Sequence, residues 1–548
     1  MGYLTSTAQD GTVNYTYDTL DRLATKVTPE GTLSYTYFPT GKVETIVSSN
    51  PHGVSTAYTW DDQNRLATVV DGNLPGQNTT TYSYDDASNV ATVKIPNGLT
   101  STFTYDALNR LTELSTSTSP ITDYKYTLGA TGIRTNATEQ SGRAIQWSYD
   151  NIYRLNGETI TGDPANNNGD NGSASYTLDP VGNRTAETSS LSGIHPIAGS
   201  YNPNDQLSSE TYDADGNTTQ TANGNNYTYD SENHMITMTN GSTVVNLIYD
   251  AFGNRVAKTV NSVTTQYLVD DLNPTGYPQV VEELTGPIGS GVVTRQYTYG
   301  LQRISENLSP SVTGNSTWTP SFYGYDGFGS VRQLTNSSGV VTDSYEYDAF
   351  GNSFTKTGTT PNNYLYRGEQ YDSDLGLYYL RARYYNPNTG RFMSRDPEDG
   401  DETDPKTLHK YVYANGDPVN AVDPTGRMAA EYALPLGIIA IPTTKVLLAL
   451  GGTVGCLLLW EGGNVWANSV VASNGGYVMQ LPCFALPMSK GGKQNVVHQW
   501  VLEMAKGMQG DVCAALKQIM SEARKAGDSS LFNAAKATYK ATCRGYGG

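Results

Sequence analysis

The chain has 548 residues, including 40 Tyr and 56 Gly but only 4 Cys and 5 His, and it carries a net charge of −18. So few Cys exclude a disulfide-rich scaffold, and the absence of a Gly-X-Y repeat excludes collagen. The net charge is too small to keep such a long chain disordered by repulsion. The high Tyr content favours strands, so we expect a mainly β protein. The N-terminus lacks the basic start and apolar stretch of a signal peptide, so export would depend on residues or machinery outside this chain.

A repeated motif dominates residues 1–363. It consists of two aromatic residues separated by one residue, then Asp, a short polar turn, and Arg; Tyr15, Tyr17, Asp18 and Arg22 form the first copy. The two rings lie on one face of a strand because side chains alternate along it. A unit of about 20 residues accommodates two strands and a turn, so each copy predicts a β-hairpin. Stacked hairpins predict a long antiparallel sheet that curls to protect its edges. Further copies begin at Tyr58, Phe103, Trp147, Tyr227, Tyr323 and Tyr345.

A second group of motifs occupies residues 364–427. In order, these are Tyr-Leu-Tyr-Arg-Gly-Glu-Gln-Tyr-Asp at 364–372, Leu-Gly-Leu-Tyr-Tyr-Leu-Arg-Ala-Arg-Tyr-Tyr-Asn-Pro at 375–387, Thr-Gly-Arg-Phe-Met-Ser-Arg-Asp-Pro at 389–397, and Asp-Pro-Thr-Gly at 423–426. Together with the repeats, the chain resembles the YD-repeat and Rhs repeat-associated core domains of Rhs proteins, teneurins and the C components of insecticidal Tc toxins.

This resemblance implies a polymorphic toxin. In such a protein, a spiralling antiparallel sheet of YD-repeat hairpins forms a hollow shell (here 1–363), and a core domain plugs one end (364–427). The remaining C-terminal residues are then the encapsulated cargo. The charge distribution agrees with this division, because residues 1–427 carry a net charge of −22 and residues 428–548 carry +4. A cationic cargo and an anionic shell attract each other at short range.

The resemblance also implies that the core domain cuts the chain just after itself, using two Asp and one Arg. The matching positions are Asp396, Asp423 and Arg383. Two carboxylates that share a site can act on water as acid and base, and Arg can stabilise developing negative charge. The structural alternative is a plug in which Asp-Pro starts turns and Arg forms ion pairs. Arg427 stands where cleaving relatives commonly have an aliphatic or aromatic residue, and the bond to Met428 is the predicted cleavage point.

Residues 428–548 divide into two segments. Residues 428–489 combine an apolar stretch at 432–460 with a linker rich in Gly, Asn and Pro. We expect the apolar stretch to pack as a buried hairpin or helix, and contact with a membrane is the alternative. Residues 490–548 predict a small cationic α-helical domain, and its positive charge indicates a nucleic-acid target.

Candidate effector residues in this helical domain are His498, Glu503 and Arg544, beside Lys490 and Lys493. His498 is a candidate acid–base group of a nuclease. The favoured alternative is a surface His on an amphipathic helix.

The expected partners are the chain's own C-terminal cargo, a cognate immunity protein and a nucleic acid. We expect a secreted or cell-surface protein with no cofactor and no metal site, because the five His are scattered. Whether it is an enzyme depends on the two candidate sites. One alternative is a bacterial cell-surface structural or carbohydrate-binding protein without toxic activity, although packing explains the alternating Tyr better than sugar binding. The other is a decayed toxin whose shell does not close.

Overall fold

The computed structural model describes residues 3–8, 11–117, 121–164, 170–192, 194, 198–401, 404–427, 429–431, 446–447, 455–461, 464–470 and 486–487. The chain divides into two compact units, Met1–Ala440 and Ile441–Gly548. The described part of the first unit consists mainly of antiparallel strands. The prediction of a mainly β fold is confirmed.

The first sheet contains seventeen strands in the described part of the chain, and each pairs with the next in sequence. The prediction of stacked hairpins is therefore confirmed. The strands are β1 (Tyr3–Ala8), β2 (Gly11–Tyr17), β3 (Leu23–Thr28), β4 (Gly31–Tyr37), β5 (Val43–Ser48), β6 (Ser55–Trp60), β7 (Leu66–Asp71), β8 (Thr79–Tyr84), β9 (Val90–Lys94), β10 (Thr100–Tyr105), β11 (Leu111–Ser117), β12 (Thr122–Leu128), β13 (Arg134–Glu139), β14 (Ala144–Tyr149), β15 (Leu155–Thr161), β16 (Gly172–Leu178) and β17 (Arg184–Ser189).

The aromatic pair of the motif explains how neighbouring hairpins stack. The first ring of a copy lies in the core, as Tyr58 does. The second ring is half-buried at the strand end and bonds to the preceding hairpin, so that Tyr84 Oη donates to the Leu66 carbonyl at 2.8 Å. Residues between the rings face outward because side chains alternate, and the hydroxyls of Thr59 and Thr68 pair across two strands at 2.7 Å.

The Asp and Arg of the motif close each turn. Asp18 Oδ1 accepts from the backbone N–H groups of Leu20 and Arg22 at 2.8 and 3.0 Å, and Oδ2 accepts from Arg22 Nε at 2.7 Å. Asp21 adopts a left-handed φ of 57°, which Asp and Asn tolerate better than most residues. The Arg22 guanidinium also lies 4.6 Å from the ring centre of Tyr37 in the next copy. The same turn recurs at Asp61, Asp106 and Asp150.

The second sheet contains fourteen strands within the described residues, again paired in chain order. A short helix, α1 (Pro310–Thr313), follows one of them. The strands are β18 (Thr211–Tyr212), β19 (Thr218–Gln220), β20 (Asn226–Tyr229), β21 (Met235–Asn240), β22 (Thr243–Tyr249), β23 (Arg255–Val260), β24 (Val263–Asp270), β25 (Gln279–Thr285), β26 (Val292–Tyr299), β27 (Arg303–Leu308), β28 (Thr319–Tyr325), β29 (Val331–Thr335), β30 (Val341–Tyr347) and β31 (Ser353–Thr357).

The two sheets pack their buried faces against each other, and one hydrophobic cluster contains residues of both. Buried carboxyl groups connect the sheets. Tyr35 Oη donates to Asp270 Oδ1 at 2.9 Å, and Arg332 Nη1 lies 3.0 Å from Glu139 Oε1. These hydrogen bonds satisfy polar groups that burial would otherwise penalise, so they define how the sheets align.

The core domain is buried on both faces of its own sheet. Tyr378 and Tyr385 contribute to the main hydrophobic cluster, whereas Tyr379 and Tyr384 contribute to a second cluster with early strands of the second sheet. Neighbouring Tyr side chains on each of two short strands point to opposite faces, so the core domain lies between the two clusters. Its strands are β32 (Gln370–Asp372), β33 (Leu377–Leu380), β34 (Arg383–Asn386), β35 (Arg391–Phe392) and β36 (Ala421–Val422), with 3-10 helices at Tyr366–Gly368, Pro405–Leu408 and Tyr413–Gly416. The next strand, β37 (Ala430–Glu431), follows the core domain.

The described strands of the second unit form an antiparallel sheet of their own. The predicted helical domain at 490–548 lies outside the described residues. No helix in the described ranges is long and apolar enough to cross a membrane. The strands of this unit are β38 (Val446–Leu447), β39 (Gly455–Glu461), β40 (Asn464–Val470) and β41 (Leu486–Pro487).

Candidate active site

The three residues predicted to cut the chain meet at one point of the core domain. Arg383 begins β34, Asp396 follows β35, and Asp423 follows β36. Arg383 Nη2 lies 2.8 Å from Asp396 Oδ2 and 3.2 Å from Asp423 Oδ2, so one guanidinium nitrogen contacts both carboxylates. The guanidinium carbon of Arg383 lies over the ring of Phe392, 3.6 Å from its centre. This ring contact and two ion pairs fix the position of this arginine.

Two of the three side chains are buried and the third is partly exposed. The side chains of Arg383, Asp423 and Asp396 are 3 %, 2 % and 16 % exposed. Burial raises the pKa of Asp396 to about 6, although the Arg383 guanidinium acts to lower it. A carboxyl with this pKa holds a proton in mildly acidic solution, which suits a general acid beside a second carboxylate. The arrangement can therefore supply a proton donor, a proton acceptor and a cation within one small volume.

Asp423 also holds the chain that follows it. Its Oδ1 accepts from the backbone N–H of Arg427 at 3.0 Å. Arg383 Nε donates to the carbonyl of Gly426, so both sides of the peptide between Gly426 and Arg427 contact predicted catalytic residues. Gly426 has a φ of +67°, and a Cβ there would lie 2.4 Å from the Leu380 carbonyl oxygen. Only glycine fits this close approach in the left-handed region.

The turn that begins at Asp423 lies inside a small hairpin. β36 pairs with β37 in antiparallel register, with Ala421 opposite Glu431 and Val422 opposite Ala430. The side chain of Arg427 is 48 % exposed and lies 3.5 Å from Glu398. The predicted cleavage point after Arg427 therefore follows a buried, hydrogen-bonded segment and precedes a paired strand.

A second arginine, absent from the sequence-based prediction, contacts the same segment. Arg381 Nη1 donates to the carbonyl of Pro424, Ala382 N donates to the carbonyl of Thr425 at 3.1 Å, and Arg383 Nε donates to the next carbonyl. Three consecutive residues thus hold three consecutive carbonyls. Arg381 and Ala382 form the turn between β33 and β34, and no local pattern in the sequence indicates this contact.

The other predicted site residues, His498, Glu503 and Arg544, lie outside the described residues, as do Lys490 and Lys493. No group of three or more His, Cys, Asp or Glu in the described part of the chain is placed to hold a metal ion.

Comparison with known families finds matches in two parts of the chain. A model of the RHS repeat matches residues 84–119, and a model of the teneurin YD-shell matches residues 320–419. The crystal structure of TcdB2-TccC3 superposes with a TM-score of 0.64 at 16 % identity, covering 77 % of this chain and 24 % of that chain. The chain therefore shares its β fold with TcdB2-TccC3.

Curated relatives add to this assignment. The tRNA3(Ser)-specific nuclease WapA of Bacillus spizizenii is 36 % identical over 265 residues, which cover 46 % of this chain and 11 % of that protein. The double-stranded DNA deaminase toxin A of Burkholderia cenocepacia is 26 % identical over 295 residues, which cover 48 % of this chain and 20 % of that protein. This chain spans only a small part of the length of either relative. Over the matched residues, the chain is similar to RHS-repeat and YD-shell proteins, and these relatives include a toxin.

Proposed function

We propose that this chain is the shell and self-cleavage part of a polymorphic toxin, and that it cuts the bond between Arg427 and Met428. The observation that supports this proposal is the meeting of Arg383, Asp396 and Asp423 in a buried site, although 40 residues separate the first from the last. Structural ion pairs alone do not require two carboxylates on one guanidinium nitrogen next to the chain that is to be cut.

The chemistry follows from the two carboxyl groups. Asp423, as the carboxylate, removes a proton from a water molecule that adds to the carbonyl carbon of Arg427. Asp396, as the carboxylic acid, donates its proton to the departing nitrogen of Met428. The C–N bond breaks, and the products are a carboxylate on Arg427 and an amine on Met428. Arg383 lies beside both carboxyls and offsets the negative charge that develops.

Intact mass spectrometry of the purified protein tests this mechanism. We expect the wild type to contain a fragment that starts at Met428, and Asp396→Asn and Asp423→Asn to remain uncut. Asp417→Asn is the matched control, because Asp417 is also buried in the core domain but hydrogen-bonds to Asn420 outside the site. An uncut wild type contradicts the proposal and favours a surface protein. Cleavage of both variants at the wild-type rate contradicts the assigned roles.

The cargo in this proposal is residues 428–548, released by cleavage, and its target is a nucleic acid. The names of two relatives, a tRNA nuclease and a DNA deaminase, support this target class. The proposal includes encapsulation of the cargo, delivery from a secreted or cell-surface protein, and neutralisation by an immunity protein.

Expression of the full chain in bacteria tests the toxic function. We expect growth arrest together with loss of intact tRNA or deamination of DNA, and we expect His498→Ala and Arg544→Ala to remove it. Unchanged growth and unchanged nucleic acids with the wild type contradict a nucleic-acid-directed toxin. Binding of the protein to glycans, tested in parallel, would then favour the carbohydrate-binding alternative.

A further inference from the structure

Arg381 connects three parts of the first unit. Nη1 lies 3.1 Å from both carboxylate oxygens of Glu369 in the core domain and donates to the carbonyl of Pro424. Nε donates to the carbonyl of Pro278, directly before β25 of the second sheet, at 3.0 Å. The guanidinium also lies 4.3 Å from the ring centre of Tyr277. One side chain therefore contacts the second sheet, the core domain and the segment that leads to the cleavage point.

The backbone at Arg381 supports a special role. Its φ is +59°, a left-handed conformation that costs free energy for residues other than glycine. This conformation lets Arg381 turn toward Pro278 while Arg383, two residues later, turns toward the two Asp residues. Arg381 does not replace Arg383, because its own carboxylate partner is Glu369.

We propose that Arg381 is a positioning residue that makes self-cleavage depend on the docking of the core domain against the second sheet. The inference rests on the proposed self-cleavage. Glu369, Tyr277 and the Pro278 carbonyl together hold the Arg381 guanidinium on the Pro424 carbonyl. Without the sheet, the guanidinium keeps Glu369 but loses its aromatic partner and one acceptor, so the segment from Pro424 to Arg427 is held less firmly. Cleavage is thereby restricted to a chain whose shell and core are assembled.

The contacts of this turn are made to backbone atoms of the segment Pro424–Gly426 and not to its side chains. Arg381, Ala382 and Arg383 contact the carbonyl oxygens of Pro424, Thr425 and Gly426, so the turn before the cleavage point is held through its backbone. A planar guanidinium with several donors can bind a carboxylate and two carbonyls at once, whereas lysine supplies a single compact charge.

Time-resolved cell-free synthesis tests the proposal, with the cut fraction measured by gel and mass. Arg381→Ala should slow cleavage about 100-fold, because a small misplacement of a reacting group has an effect of this size. Arg381→Lys should recover part of the rate. Arg295→Ala is the matched control, because Arg295 and Glu283 form an ion pair of similar length (3.2 against 3.1 Å) and similar burial in the second sheet. The control should be cut at nearly the wild-type rate.

Coupling to the second sheet is tested separately with Tyr277→Leu. This change should slow cleavage in the wild-type background and have no further effect in Arg381→Ala, because both changes break one connection. Thermal unfolding of each variant gives its folded fraction. If Arg381→Ala and Arg295→Ala lower the rate equally at equal loss of Tm, or if Tyr277→Leu and Arg381→Ala act additively, the inference is wrong while self-cleavage stands. If the wild type is not cut, the proposed self-cleavage fails and this inference fails with it.

Discussion

The turns of the repeats and the turn that begins at Asp423 have the same hydrogen bond from a backbone N–H to Asp, but a different arginine binds the Asp side chain. Both begin with Asp, and in both Oδ1 accepts from the backbone N–H of an Arg four residues later. In the repeat, Asp106 Oδ2 then accepts from that same Arg110 at 2.7 Å. In the core domain, Arg383 from another strand occupies this oxygen, and Arg427 points to Glu398 instead.

This comparison shows how a structural turn can become a reactive one. In the repeat, the Asp pairs with the Arg four residues later in the same turn, and this ion pair is half-exposed and needs no residue from elsewhere. Asp423 is buried and shares Arg383 with Asp396. Two carboxyl groups that can exchange protons therefore lie beside the backbone that Asp423 binds. A change at equivalent positions should therefore affect chemistry in one turn and only stability in the other.

The largest difference is expected for the two arginines. Arg383→Ala should lower the rate of self-cleavage about 1000-fold, because it removes the cation that stabilises developing charge. Arg110→Ala should leave the cut fraction unchanged and lower the Tm by at most about 2 °C, since exposed ion pairs contribute little. Cleavage time courses and thermal unfolding of both variants measure the two effects. Equal cleavage by the two variants would remove the distinction between the turns.

The next largest difference is expected for two glycines in turns. Gly426 and Gly41 have positive φ values of +67° and +83°, but a Cβ at Gly41 meets no atom within 4 Å. Gly41→Ala should reduce stability by about 1 kcal/mol through backbone strain alone. Gly426→Ala should move the segment away from Leu380 and Arg383 and slow cleavage about 100-fold. Rapid cleavage of Gly426→Ala would show that the close packing does not position the bond.

The pH dependence of cleavage separates the turns further. Burial raises the pKa of Asp396 to about 6, whereas the hydrogen bond from Arg110 lowers the pKa of Asp106. The acid form of Asp396 is lost as the pH rises through 6, so the rate should fall about tenfold per unit above that value. The raised pKa of Asp396 also affects stability. Its contribution to the free energy of unfolding is fully present at pH values below its pKa in the unfolded chain, and it is lost as the pH rises through about 6. Refolding into buffers of pH 5 to 8 measures both. A rate that rises across this range would reverse the assigned acid and base.

Much of the repeat was predictable because its interactions are local. The ring spacing, the Asp turn and the Arg four residues later lie within one hairpin, so periodicity and turn chemistry suffice to predict it. The trio of Arg383, Asp396 and Asp423 required the family resemblance, because its members come from three separate segments. Arg381 was missed for a related reason. Its partners Glu369, Pro278 and Pro424 belong to three different parts of the chain, and no local pattern connects them.

The smallest expected difference concerns tyrosine hydroxyls that bond to backbone carbonyls in both regions. Tyr84 Oη donates to Leu66 at 2.8 Å in a half-buried position, whereas Tyr385 Oη donates to Phe350 at 2.7 Å in the buried core domain. In Tyr84→Phe, water can replace the lost donor, so the free energy of unfolding should fall by about 0.5 kcal/mol.

In Tyr385→Phe, the Phe350 carbonyl loses a donor where solvent does not reach, and the loss should be about 1–3 kcal/mol. Urea unfolding followed by Tyr fluorescence gives both values, and a constant m-value checks that each variant unfolds in the same way. Equal losses would mean that water reaches the Phe350 carbonyl, and the core domain would then be less tightly wedged than its two hydrophobic clusters indicate. A larger loss at Tyr385 would establish that the same hydroxyl bond stabilises the core domain more than the repeats, because the core domain is buried on both faces.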